Sequence, residues 1–327
     1  MSFVSDRVIP LALRAMRAQR PFSTADAAHA RVAELALRPR PYGPPRAIRR
    51  DVTFQVGRRY GWPIYTVRPR HGAARGRVVY AHGGGWAGEI AAPHWYLIAQ
   101  IAAQARTAVT VPIYPLSPFA TAADVVPRFA ELAAGRLAAG PLADGELVAG
   151  ELDCGDRPND GPVDDDEPAC LVGDSAGGQI ALSAALLARD RHGVRLPRTV
   201  LIAPALDLGL THPGIEEVAP HDPWLAVEGA RVLANYWRGD LPLEDPLVSP
   251  IFGDLTELGP LTVFIGTRDI LLPDAHLLTD KARAVGVDVT LHEEPGVVHV
   301  HPLTPTPEGR AARRLIVEDV RAAFADR

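Results

Sequence analysis

The sequence predicts an α/β fold, an eight-stranded and mostly parallel sheet flanked by helices. Three observations carry that expectation. Short apolar runs alternate with helical stretches along most of the 327 residues, and such alternation implies parallel strands joined by crossover helices. Several runs, Leu261 to Ile265 among them, are apolar at nearly every position, as strands buried on both faces require. A glycine-flanked serine, Ser175, stands directly between one such run and a helical pattern.

Composition narrows the class further. With 47% hydrophobic and 22% charged residues the chain can bury a large core, which excludes disorder, collagen and coiled coil. A formal net charge of −5 supplies no overall basic field, which argues against a nucleic-acid partner. The charge is uneven: residues 1–50 hold ten Arg against Asp6, Asp26 and Glu34, whereas 144–168 hold ten acidic residues against Arg157. Lys281 is the single lysine, and Arg, Ala and Pro are abundant, a bias that suggests a GC-rich bacterial genome. Cys154 and Cys170 are too few for a disulfide scaffold and fit a reducing compartment. No apolar run approaches the roughly 18 residues of a membrane span, and the N-terminus lacks a signal-peptide pattern. The expectation is a cytoplasmic protein with no stable membrane insertion.

Taken in order, Asp6 to Gln19 reads as an amphipathic helix, with Arg7, Arg14 and Arg17 on one side and Val8, Ala12, Ala15 and Met16 on the other. Ser23 to Leu37 reads as a second helix with a Ser23 or Thr24 cap, ended by the Pro-rich linker Arg38 to Pro45. Val52 to Val56 and Ile64 to Val67 form a hairpin, with Gly57 and Gly61 at the turn. Then follow strand Val78 to Ala81, helix His94 to Gln104, strand Val109 to Ile113, helix Ala123 to Leu137, strand Ala169 to Val172 and helix Ala176 to Arg189. After strand Thr199 to Ile202 comes an irregular stretch, Ala205 to Asp240, containing the helical Leu225 to Trp237. Strand Leu261 to Ile265, a helix around Ala275 to Ala284, strand Val287 to Leu291 and helix Pro307 to Phe324 complete eight strands. The acidic stretch 144–168 has almost no apolar periodicity and reads as a surface loop. Its spacing does not match a calcium loop, and no metal site is expected.

Chemistry concentrates at strand ends. Gly173-Asp174-Ser175-Ala176-Gly177-Gly178 has the form of a nucleophile elbow, a sharp strand-to-helix turn that presents a serine hydroxyl. His82-Gly83-Gly84-Gly85-Trp86 follows strand Val78 to Ala81, and its glycines leave backbone N–H groups open to an oxyanion. Gly84, Gly85 and Ala176, the residue after the serine, are the expected donors. No Gly-Lys-Ser/Thr follows the glycine run, and no acidic residue ends the next strand, which argues against nucleotide binding.

A serine nucleophile needs a base, and the base needs an orienting acid. Asp269 follows strand Leu261 to Ile265 and His299 follows the last strand, giving the chain order Ser, Asp, His. Asp274 is a rival acid and His301 a rival base, with Asp269 and His299 favoured; His82 is expected to hold the glycine loop in shape.

These residues, with Tyr114-Pro115-Leu116-Ser117-Pro118, Ala203-Pro204-Ala205-Leu206-Asp207 and Asp245-Pro246-Leu247-Val248-Ser249-Pro250, make the chain resemble the hormone-sensitive-lipase-like esterases, bacterial family IV of the α/β-hydrolases. The resemblance implies an α/β-hydrolase fold and the triad Ser175, Asp269 and His299. It also implies a helical cap from residues 1–45 and an insertion at about 205–240, with residues 46–327 as the catalytic domain. The implied activity is hydrolysis of short- to medium-chain acyl esters through an acyl-enzyme, with no cofactor. Lactone hydrolysis and ligand binding without turnover stay open as alternatives, as does a homodimer. Trp86, His94, Trp95, Trp224, Tyr236 and Trp237 are candidate pocket aromatics, with core packing the competing reading for each. The chain departs from the family pattern in His299-Val300-His301 and in Asp269-Ile270-Leu271.

Overall fold

The computed structural model describes residues 2, 4–46, 48–135 and 167–325. The acidic stretch 144–168 therefore lies outside the described residues except for Glu167 and Pro168, and so does Cys154. Cys170 is buried.

The N-terminal region forms α1 (Ile9–Ala15) and α2 (Ala25–Leu37). The amphipathic helix expected over 6–19 is shorter at its C-terminal end: a π-helical segment, Val4–Val8, runs directly into α1, Pro10 stands in the first turn of α1, where its missing N–H costs least, and the chain turns out of the helix at Arg17, with a left-handed φ of 53°. Pro10 is buried, whereas Val8 and Met16, on the side opposite the arginines in the sequence pattern, are exposed. α2 begins as predicted, with Thr24 Oγ1 accepting from the Ala27 N–H at 3.2 Å, and it packs against α7 (Val227–Arg238).

The sheet is built from β1 (Val52–Arg59), β2 (Trp62–Pro69), β3 (Arg77–Ala81), β4 (Ala108–Pro112), β5 (Cys170–Asp174), β6 (Thr199–Ile202), β7 (Leu261–Arg268) and β8 (Val289–Val298), in spatial order β1-β2-β4-β3-β5-β6-β7-β8. β2 pairs antiparallel with both β1 and β4, and the other pairings are parallel. The hairpin turns at Tyr60 and Gly61, both at positive φ, as a two-residue turn between twisted strands requires. Gly57 lies inside β1 instead of at the turn.

The crossovers are α3 (Ala92–Ile101), α4 (Ala122–Ala134), α5 (Ala176–His192), the short α6 (Ile215–Val218) followed by α7, and α8 (Leu272–Ala284), with α9 (Pro307–Ala322) closing the chain. β3, β5 and β6 are buried at every position, which explains their unbroken apolar runs. Residues 176–188 of α5 are also buried throughout; the many Ala and Gly there let the helix lie close against the sheet and α4. Among the described residues, no helix is long and apolar enough to cross a membrane.

Candidate active site

β5 ends at Asp174 and α5 begins at Ala176, so Ser175 alone makes the turn, with φ 53° and ψ −118°. That conformation costs about 1–3 kcal/mol for a residue with a side chain and persists only where neighbours enforce it. Here the Ser175 N–H donates to the Ile202 carbonyl at 2.8 Å, and the Ser175 carbonyl accepts from Gly178 at 2.9 Å and Ala205 at 3.2 Å. A Cβ on Gly173 would run into the Gly177 carbonyl, and one on Gly177 into the Ala81 carbonyl at the end of β3. The flanking glycines are therefore a packing requirement of the turn.

Beside the elbow, the loop after β3 passes through Gly84 at φ 126°, Gly85 at φ 60° and Trp86 at φ 56°. Among the described residues, the N–H groups of Gly84 and Gly85 have no protein acceptor. His82 supports this loop from beneath. It is fully buried, stacks on Tyr114 at 4.5 Å, and its Nδ1 donates to the Gly83 carbonyl at 2.7 Å. Burial, aided by neighbouring His94, lowers its pKa to about 4, so His82 is neutral at pH 7. Trp86 is fixed by its Nε1 donating to Gln179 Oε1 at 3.1 Å and by stacking on Trp237, whose Nε1 donates to the same oxygen at 2.8 Å.

Across the cleft, β7 leads into Asp269, and β8 runs seven residues past its predicted end to deliver His299. A register shift between Gly266 and Arg268 separates the two strand ends, and Val300 at φ 46° turns the chain away after the histidine. His299 Nε2 lies 2.9 Å from Ser175 Oγ, and His299 Nδ1 lies 2.7 Å from Asp269 Oδ2. Asp269 is fully buried, and its other oxygen accepts from the Leu271 N–H at 3.0 Å. Burial by itself would lower the His299 pKa. The charges of Asp269, Asp222 and Asp174, with the Asp269 hydrogen bond, outweigh that and hold it above 6.5.

The rivals stand apart from this line. His301 is buried, with its pKa lowered to about 4 chiefly by desolvation. Asp274 is buried, and burial followed by the charge of Asp207 raises its pKa to about 7, with the Asp207 backbone N–H pulling it back.

A narrow cavity of about 50 Å³ opens at Ser175, and its walls include Phe22, Gly85, Trp86, Leu225, Ala230, Leu233 and Ala234. Trp86 therefore lines it as expected. Trp224 is not among the walls of this cavity; its ring stands edge-on to the His299 imidazole, with centroids 5.7 Å apart. Trp95 does not belong to it: the indole is fully buried between Phe54 and Tyr65, and its Nε1 donates to the Tyr42 carbonyl. The apolar face of α3 turns toward β2, which carries Trp95 into the core. His94, on the same helix, binds Asp174 Oδ2 through Nε2 at 3.2 Å, and Tyr80 donates to Asp174 Oδ1 at 2.8 Å. These contacts anchor the residue before Ser175 and were not foreseen from the sequence. A larger cavity of about 420 Å³, walled by Tyr42, Trp62, Glu89 and Phe119, does not include Ser175.

Comparison with known proteins identifies the family. The chain is 34% identical over 161 residues to an acetyl-hydrolase of Streptomyces hygroscopicus, covering 48% of this chain and 53% of that one. It is 28% identical over 240 residues to a triacylglycerol lipase of Mycobacterium tuberculosis, covering 73% and 45% respectively. The matches thus span about half the length of these curated relatives. Among solved structures, an esterase from the bacterial hormone-sensitive lipase family superposes with a TM-score of 0.72 at 25% identity, over 99% of this chain and 100% of that one. The family model described as alpha/beta hydrolase fold matches residues 78–303, well over half of the sequence, and the chain belongs to that family.

Proposed function

We propose that this protein is a serine carboxylesterase acting on short- to medium-chain acyl esters. The observation that carries the reading is the continuous hydrogen-bonded line from Asp269 through His299 to Ser175, at 2.7 and 2.9 Å, with Ser175 and Gly85 in the wall of one cavity. In the proposed reaction, Ser175 Oγ attacks the ester carbonyl while His299 Nε2 takes its proton. Asp269 holds the imidazole in the tautomer with a proton on Nδ1 and stabilises its cationic form. The oxyanion meets the N–H groups of Gly84, Gly85 and Ala176, each worth on the order of 3 kcal/mol of barrier. His299 then protonates the leaving alcohol, and water, deprotonated by the same nitrogen, releases the acid from the acyl-enzyme.

Residues 1–45 and 205–240 are assigned as the cap over this site. That assignment is supported by Phe22 from the first segment and Leu225, Leu233 and Ala234 from the second, all in the wall of the Ser175 cavity. The narrow apolar cavity favours short acyl groups, and the acetyl-hydrolase name of the Streptomyces relative points the same way. Hydrolysis of p-nitrophenyl acetate, butyrate, octanoate and palmitate tests the reading. Turnover of the short esters by the wild type, lost in Ser175→Ala, is expected; no turnover of any ester, or equal turnover in the variant, would overturn it.

A further inference from the structure

The segment between α6 and α7 carries a second buried carboxylate beside the Asp269–His299 pair. Asp222 is only 3% exposed. Its Oδ2 accepts from the N–H of Ile270, the residue after Asp269, at 3.0 Å. Its Oδ1 accepts from the N–H groups of Trp224 and Leu225, both at 2.8 Å. One carboxylate thus ties the loop that carries Asp269 to the turn that carries Trp224, whose indole stands edge-on to the His299 imidazole. The same turn is held from outside: Gln19 Nε2 donates to the carbonyls of Asp222 at 3.0 Å and Leu225 at 2.8 Å.

We propose that Asp222 is a positioning residue for the Asp269–His299 pair, fixing the imidazole between Asp269 and Trp224 and adding a second negative charge in support of its protonated form. Three carboxylates act on His299 from separate elements: Asp269 after β7, Asp222 before α7 and Asp174 at the end of β5. Asp222 in turn faces Asp269 and His299. Its pKa is raised to about 6, first by burial and then by the Asp269 charge, with the bonds from Leu225 and Ile270 and the His299 charge pulling it back. Above that pH it is an anion, and its field acts on the imidazole while His299 itself titrates.

A role confined to folding would lower stability without moving the His299 pKa. Asp222→Asn separates the two, because the amide oxygen can still accept from Trp224 and Leu225 while the charge is lost and an N–H₂ faces the Ile270 N–H. The His299 pKa, read from histidine side-chain NMR with His299→Ala to assign the signal, is expected to fall by about 0.5 or more. The acidic limb of kcat/KM should move down with it, and kcat should fall by about tenfold to a hundredfold as the imidazole loosens. Where Asp222→Asn does not fold, Asp222→Ser keeps a turn-forming acceptor and gives the same comparison. An unchanged His299 pKa in a folded variant would overturn the proposal. The catalytic arm rests on the esterase reading, whereas the NMR arm does not, so a wild type inactive on esters would leave the pKa result decisive.

Discussion

Ser175 and His299 are 124 residues apart in the chain and 2.9 Å apart in the fold. Two local devices produce that meeting: a serine forced into positive φ between β5 and α5, and an edge strand that runs on to Val298 before the chain turns at Val300. Asp269 completes the line from the far side of the ring, so the imidazole is held at both nitrogens.

The elbow depends on the absence of a side chain at Gly177. Gly177→Ala would press a methyl group into the Ala81 carbonyl and the His82 backbone, neither of which can yield without moving the glycine loop. A loss of about 3 kcal/mol or more in unfolding free energy is expected, measured by denaturant titration. A variant as stable and as active as the wild type would show that the turn has slack the packing does not reveal.

Attack requires neutral His299, and the surrounding carboxylates hold its pKa above 6.5. The acidic limb of kcat/KM should therefore have its midpoint above pH 6.5, with the rate falling as pH drops through it. Asp269→Asn removes the nearest charge and should shift that midpoint downward while lowering kcat by several orders of magnitude, about 10⁴ in a comparable triad. A pH–rate profile over pH 5–9 decides both points.

Cavity size should govern chain length. Leu233 and Ala234 lie on α7 against the Ser175 cavity. Leu233→Ala should raise octanoate hydrolysis relative to acetate by about tenfold, and Ala234→Phe should lower it by a similar factor, since a methylene in an apolar pocket is worth about 1–3 kcal/mol. The ratio of kcat/KM for the two p-nitrophenyl esters is the readout.

Asp274 is a cost that grows with pH. Its carboxyl is buried and titrates near 7, against an ordinary 3.8. A carboxyl with a raised folded pKa leaves stability intact below 3.8 and withdraws it as pH rises through 7. Asp274→Asn should accordingly stabilise the protein by up to about 4 kcal/mol at pH 8, and the gain should shrink toward zero near pH 4. Thermal unfolding at both pH values checks the sign.

What the sequence disclosed followed from locality. Ser175, Gly84, Gly85 and Ala176 sit within motifs whose spacing is itself the geometry, and Asp269 and His299 follow strands recognisable by their apolar runs. The end of β8 was hidden because an edge strand meets solvent on one side: His292, Glu293, Glu294 and Pro295 read as loop although they lie within the strand. For Trp95 the sequence leaves pocket and core packing both open, because an aromatic on a largely apolar helix carries no mark of which apolar surface it meets; the fold puts it in the core. Asp222 and Gln179 left no signal, since their partners include backbone groups 48 and 68 residues away, a pairing only the folded chain creates.

The central claim is that Ser175 is a nucleophile activated by His299. Mass spectrometry after exposure to a fluorophosphonate tests it without knowledge of the natural ester. One adduct per chain, mapped to Ser175, lost in Ser175→Ala and slowed at least ~100-fold in His299→Ala, is the predicted result. A folded wild type that takes up no reagent, or that is modified elsewhere while Ser175 stays free, would contradict the account.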